Sequence, residues 1–224
     1  MTVMTVTPDD LRQSASACRD ALGPTVDLDW TVQAGELSWD IRGTVTHVID
    51  AVGWYAAHLA VRSPRRLHFD FAAHRDASNL ELLDVLEAAA ATLAQVAVAA
   101  PPDARAFHNS GRADTCGFLA MGCDEILVHG WDAIRGLGGE FTPSADIAER
   151  VLRRLFPWVS VRTSPWQALL WANGRIDLPD QAQRSGPDWA WHCAPLDEWD
   201  GTVPHQKAHR HRAPASHHDA GPRS

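Results

Sequence analysis

The run Asp124-Glu125-Ile126-Leu127-Val128-His129-Gly130-Trp131-Asp132 sets a carboxylate and an imidazole four residues apart in an apolar, helix-like segment. On a helix, positions i and i+4 lie one above the other on the same face. Glu125 and His129 can therefore offer an oxygen and a nitrogen to one ion. Two ligands do not make a tight site, so a third must come from elsewhere in the chain. Seven histidines precede the C-terminal tail: His47, His58, His68, His74, His108, His129 and His192. Of the others, only His47 and His58 fall well inside another predicted helix. His47 shares a helical face with Thr44 and Ala51 and sits beside Val48, so its same-face neighbours are small. Side chains on facing helices of a bundle converge in the core, where metal sites are commonly built. His47, Glu125 and His129 then make a two-histidine, one-carboxylate set. Three protein ligands and an open position is the pattern of a catalytic zinc or another borderline divalent ion. The plain alternatives stand beside it: a lone histidine on an apolar face is commonly a satisfied core residue, and a Glu–His pair is commonly solvated. His58 lies eleven residues past His47, roughly 16 Å along a helix axis, too far to close the set as a structural zinc site would be closed.

Four long helices are expected to carry these residues. The first opens at Thr7-Pro8, an N-cap followed by a proline suited to the first helical position, and stops at Gly23-Pro24. The second begins near Ser38 or Asp40 and runs to about Val61, where Ser63-Pro64 ends it. The third starts after Ser78-Asn79, carries Leu80, Leu83, Leu86, Ala90, Leu93 and Val96, and ends before Pro101-Pro102. The fourth begins around Asp114 and ends at Gly136-Leu137-Gly138-Gly139. No strand-period alternation competes with these segments, and the order predicts an all-α chain built on a four-helix bundle. A fifth helix opens at Thr142-Pro143 and runs to about Phe156. The expected organisation is a metal-binding bundle over 1–157, then a small Trp-rich subdomain or lid over 158–201 with one short helix from Pro165 to Ala172. A basic tail over 202–224 carries His205, His209, His211, His217 and His218; with few aliphatic side chains it reads as disordered.

Composition limits the function. A formal net charge of −8 argues against a general nucleic-acid binder. No uninterrupted apolar run reaches the roughly 20 residues of a membrane helix, and the N-terminus lacks a signal-peptide pattern. Cys18, Cys116, Cys123 and Cys193 form no Cys-x-x-Cys pair and read as reduced thiols of a cytoplasmic protein. The expected partner is a small-molecule substrate, with the protein a monomer or homodimer. No G-x-S-x-G, P-loop or G-x-G-x-x-G supports a serine hydrolase or nucleotide enzyme.

Two segments resemble a known family. Trp39-Asp40-Ile41-Arg42-Gly43-Thr44-Val45-Thr46-His47 resembles the Trp-led run into helix two of the DinB-like metalloproteins. Glu125-Ile126-Leu127-Val128-His129-Gly130-Trp131-Asp132 resembles the E-x-x-x-H-x-W-D segment of their mycothiol-dependent maleylpyruvate isomerase branch. The likeness covers about the first 157 residues as architecture, with its specific motifs confined to these two segments. It implies a DinB-like four-helix bundle of up-down-down-up type, and a divalent metal, usually zinc, on His47, Glu125 and His129. It also implies mycothiol as a cosubstrate approaching the open metal position. A cation there stabilises a thiolate near neutral pH. In the isomerase, the thiolate adds to a cis double bond, the bond rotates and the thiol leaves; relatives transfer the thiol to an electrophile. The family isomerase has a longer C-terminal domain with a functional arginine. Here Arg175, in Ala172-Asn173-Gly174-Arg175, is the nearest candidate for a catalytic contact with an anionic substrate; the alternative is a charge partner at a helix end.

A metal-bound histidine usually donates its other ring nitrogen to a carboxylate or carbonyl. Asp50 follows His47 by three residues and Asp132 follows His129 by three, so either is a candidate partner. Trp54, two turns past His47, is a candidate pocket wall or a core aromatic. Trp131 points to another face. Arg105, His108 and Arg112 fall in the loop before helix four, as anion contacts or plain loop charge. Three functions compete: a metal-dependent thiol isomerase or S-transferase, a DinB-like hydrolase or lyase without thiol chemistry, and a non-catalytic bundle stapled by metal.

Overall fold

The computed structural model describes residues 5–160, 162, 164–184 and 190–204. Local capping chemistry places the helices. In α1 (Pro8–Leu22), Asp10 N–H donates to the Thr7 hydroxyl while Thr7 N–H donates to the Asp10 carboxylate, a reciprocal box that satisfies two otherwise orphaned donors. Asp40 starts α2 (Ile41–Val61) by accepting from Gly43 N–H. Ser78 and Glu81 form a second box at α3 (Asn79–Ala99). Asp114 accepts from Gly117 N–H at α4 (Thr115–Gly136). The fifth helix, α5 (Ala145–Leu155), opens after Ser144, two residues past the expected Thr142-Pro143 signal. Ser164 caps α6 (Pro165–Ala172).

One expectation is corrected. The segment before α4 is not a plain loop: β1 (Arg105–His108) and β2 (Gly111–Asp114) form an antiparallel hairpin, with Ala106 opposite Ala113 and His108 opposite Gly111. Strands of four residues are too short to show a period-two signal.

Around the bundle the helices follow the order α1, α3, α2, α4. Contacts give their directions. Gly122 meets Leu11 and Gly130 meets Cys18, so α1 and α4 run the same way. Arg19 at the end of α1 pairs with Asp84 and Glu87 near the start of α3, so those two are antiparallel. Arg42 donates to Asn79, start to start, so α2 and α3 are parallel. His47 packs on His129 while Tyr55 packs on Phe118, so α2 and α4 are antiparallel. The result is an up-down-down-up arrangement in which α2 and α4 share an edge.

Parallel α2 and α3 require a connection that travels back along the bundle. Residues 62–78 do this as a strap on α2. Leu67 N–H donates to His58 Nε2, Phe71 N–H to Asp50, and Arg42 to the carbonyls of Arg75 and Ala77. Gly53 permits the strap's closest approach: a Cβ there would lie 2.2 Å from the Phe71 ring.

A single hydrophobic cluster runs through the molecule, from Leu11, Leu83, Leu93, Phe118 and Ile126 to Leu152, Phe156, Trp166, Leu169 and Cys193. Each such fully buried large side chain contributes about 1.5–3 kcal/mol. The stretch 158–201, expected as a subdomain or lid, thus shares the bundle's core. Among the described residues α3 is long and apolar enough to cross a membrane by length and composition; here Leu82, Leu83, Leu86, Leu93 and four alanines of α3 are buried in the fold. Trp189 and the tail histidines from His205 onward lie outside the described residues.

Candidate metal centre

The antiparallel edge between α2 and α4 brings His47, Glu125 and His129 together. One ligand atom from each lies within 4.8 Å of the others, the one such group of three among the described residues. Glu125 Oε2 sits 3.5 Å from His47 Nε2 and 3.4 Å from His129 Nε2. These separations are long for charge-assisted hydrogen bonds, which run to about 2.7–2.9 Å. They match the ligand–ligand edge of roughly 3.3–3.4 Å that a tetrahedral ion with bonds of about 2.0–2.1 Å requires. The donor set, two imidazole nitrogens and one carboxylate oxygen, also suits zinc or a similar divalent ion. The residues fit the group.

Electrostatics agree with that chemistry. Burial raises the Glu125 carboxyl, but the two imidazoles outweigh it and hold the group well below the usual carboxylate range. Burial lowers the His129 imidazole, yet Asp132 and Glu125 together lift it to about 9. His129 Nδ1 donates to Asp132 Oδ2 at 3.1 Å. That bond fixes the tautomer that leaves Nε2 as the metal-facing nitrogen. Asp132, buried, stays ionised because His129 and Arg175 outweigh the burial that would raise it.

Arg175 is placed differently from the sequence expectation. Its Nε and Nη2 close on the Asp132 carboxylate, and its Nη1 donates to the Asn173 carbonyl. With all three nitrogens engaged, the guanidinium reaches the centre through Asp132 and His129. The bonds it makes hold Asp132 in position, an arrangement that the expected contact with an anionic substrate did not include. Arg175 and Asp132 themselves line a cleft with Glu36, Leu37, Trp131, Arg135 and Gln183.

Asp50 and Trp54 are also corrected. Asp50 Oδ1 accepts from Phe71 N–H at 2.7 Å, so it anchors the strap and does not hold the His47 ring. Trp54 stacks on His58 at 3.4 Å between ring centroids and lies beside Phe107 and His108, away from the ligands. His58 is a satisfied neutral imidazole: Nδ1 donates to the Trp54 carbonyl and Nε2 accepts from Leu67 N–H. The aromatic wall of the centre is Trp39, whose ring lies 4.7 Å from that of His47 and 6.1 Å from that of His129. Of the hairpin residues, Arg105 pairs with Glu198, Arg112 is exposed and His108 is buried.

Three further residues stand around Glu125: Tyr55 and Asp124, which had no expected site role, and His108, expected only as a loop contact for an anion. Tyr55 donates its hydroxyl to Glu125 Oε1 at 3.0 Å. His108 packs edge-on to Tyr55 and accepts from Ser110 N–H, and burial pushes it down to about 4. Asp124 is clasped by Asn173 Nδ2 and Trp191 Nε1, and burial pushes it up to about 7. Solvent reaches the centre over His47, whose side chain is 30% exposed, against 9% for Glu125. The ligand set is therefore built into the helices with one side accessible. Comparison of the chain with protein-family models, curated proteins and solved structures found no match.

Proposed function

We propose that the chain is a divalent-metal-dependent enzyme, of the DinB-like type its two motif segments resemble. It would use a low-molecular-weight thiol such as mycothiol for isomerisation or S-transfer on a small electrophilic substrate. The observation that carries this reading is the convergence of His47 Nε2, Glu125 Oε2 and His129 Nε2 as a group of three, with access from solvent. A non-catalytic staple would normally be closed by a fourth protein ligand. Zinc is the cation the donor set favours. It would supply the positive charge that keeps a thiol ionised near neutral pH.

The chain's own residues do the positioning. Glu125 is held ionised and so is ready to bind without losing a proton. Asp132 keeps the His129 proton on Nδ1 and turns Nε2 to the cation. Trp39 covers one side of the imidazole pair and limits water there.

Elemental analysis of purified protein tests the centre. Near-stoichiometric zinc is expected, with loss in His47→Ala and His129→Ala; full retention in both variants overturns the assignment. Incubation of zinc-loaded protein with mycothiol and a panel of electrophiles and cis-enoyl acids tests the chemistry. Thiol-dependent turnover that fails in His47→Ala is expected. A bound metal with no thiol-dependent turnover across the panel would favour a hydrolase or lyase instead.

A further inference from the structure

The two oxygens of Glu125 are divided between two tasks. Oε2 faces both imidazole nitrogens, at 3.5 and 3.4 Å. Oε1 accepts from the Tyr55 hydroxyl at 3.0 Å. Tyr55 arises from α2, the helix that also carries His47, and 70 residues separate it from Glu125 in sequence. Its ring is fixed by Trp54, His108 and Phe118, at centroid distances of 6.0, 5.7 and 5.9 Å. Both side chains are buried, Tyr55 at 4% exposure and Glu125 at 8%. The direction of the bond follows from the chemistry of the two groups. The Tyr55 hydroxyl is the donor and a carboxylate oxygen the acceptor.

A carboxylate facing a cation binds it through one oxygen or through both. Two-oxygen binding of Glu125 would need the side chain to turn until Oε1 also faces the imidazole pair. That rotation breaks the Tyr55 bond inside a packed aromatic cluster. One-oxygen binding keeps the bond and leaves a coordination position for a molecule from solvent.

We infer that Tyr55 is a positioning residue that holds Glu125 to one-oxygen coordination and so keeps a position at the metal available to an exogenous ligand. The inference rests on the reading that His47, Glu125 and His129 bind a divalent cation. Nothing in the motif segments contains Tyr55; it is identified by the bond it makes.

Tyr55→Phe removes the hydroxyl and retains the ring, and cobalt(II) serves as the spectroscopic probe. Wild-type protein is expected to bind cobalt with the intense visible bands of low coordination number. Titration with 2-mercaptoethanol should add a thiolate charge-transfer band. In Tyr55→Phe, chelator competition should show cobalt binding weakened roughly 10- to 100-fold. The visible bands should lose intensity as the second carboxylate oxygen binds, and the response to 2-mercaptoethanol should shrink. Thermal unfolding of the metal-free variant separates this from loss of fold. Infrared difference spectra of zinc-loaded minus metal-free wild type give a check that needs no variant: a wide carboxylate stretch splitting is expected for one-oxygen binding. A narrow splitting in wild type, or a folded Tyr55→Phe with unchanged cobalt affinity, bands and thiol response, overturns the role of Tyr55 and leaves the metal centre standing. Failure of wild type to take up either ion overturns the metal centre and this inference together.

Discussion

Arg175 and Asp132 form a bidentate pair: Arg175 Nε lies 3.0 and 3.1 Å from the two carboxylate oxygens and Nη2 lies 2.9 Å from Oδ2. The same Oδ2 accepts from His129 Nδ1. A residue just past α6 is thereby joined, through one carboxylate, to the candidate metal ligand His129 on α4. Asn173 and Trp191 clasp Asp124 from the same side of the chain. Both carboxylates that flank the Glu125–His129 pair are thus held by the C-terminal stretch.

The two members of that pair should fail differently. Asp132→Ala removes the group that orients His129, so zinc affinity measured by chelator competition should fall roughly 10- to 100-fold. Arg175→Ala leaves Asp132 as a buried anion with a single partner. Its first effect should be on the fold, a loss of about 3 kcal/mol in chemical denaturation. Equal zinc affinity in Asp132→Ala and wild type would refute the orienting role.

Zinc binding should be proton-linked through His129. In the metal-free protein its imidazole is held up to about 9, so below that pH a proton occupies the ring and must leave as metal binds. Zinc affinity should therefore rise as pH rises from 6 to 9, with His129 contributing about tenfold per unit. Above the folded value this contribution should level off. An affinity flat with pH over this range would contradict it.

His108 should limit acid stability. Its folded value of about 4 lies below the ordinary 6.5, so between these values the unfolded chain binds a proton that the folded chain refuses. Stability should rise with pH across that window and fall as the solution is acidified through it, by about 3 kcal/mol in all. His108→Phe should flatten this part of the curve in urea unfolding at pH 4 and pH 7. An unchanged slope would place the acid sensitivity elsewhere.

The strap over α2 yields a packing test. Gly53→Ala gains about 1 kcal/mol of helix propensity but sets a methyl 2.2 Å from the Phe71 ring. Overpacking of this kind costs about 1–3 kcal/mol, so thermal unfolding should show net destabilisation. Gly53→Ala combined with Phe71→Ala should be less destabilised than the two single effects summed, because they share one contact.

The sequence was most legible where the determining contacts are local. Thr7, Asp40, Ser78 and Asp114 cap helices within three residues of themselves. Glu125 and His129 share a face by helical geometry alone. His47 was reachable because bundle helices turn their apolar faces to one another. Legibility ended where one spacing served two partners. Asp50 and Asp132 both follow a histidine by three residues, yet the strap's Phe71 N–H takes Asp50 and Arg175 reinforces Asp132. Trp54 shares the His47 face but lies two turns along, where His58 stacks on it. Trp39 stood in the motif itself, and only the turn into α2 lays its ring against both imidazoles. Tyr55, Asn173 and Trp191 meet their partners across 70, 49 and 67 residues, separations no local pattern encodes.

The up-down-down-up order has a kinetic corollary. The candidate ligands on α2 and α4 stand on either side of the whole of α3 in chain order, so the centre depends on contacts that close a long loop. Contacts of high sequence separation slow folding because loop-closure entropy is lost before they form. An ion bound there would act as a clasp across the α2–α4 edge. Where the α2–α4 edge forms after the folding nucleus, such an ion would slow its opening and leave the folding rate nearly unchanged.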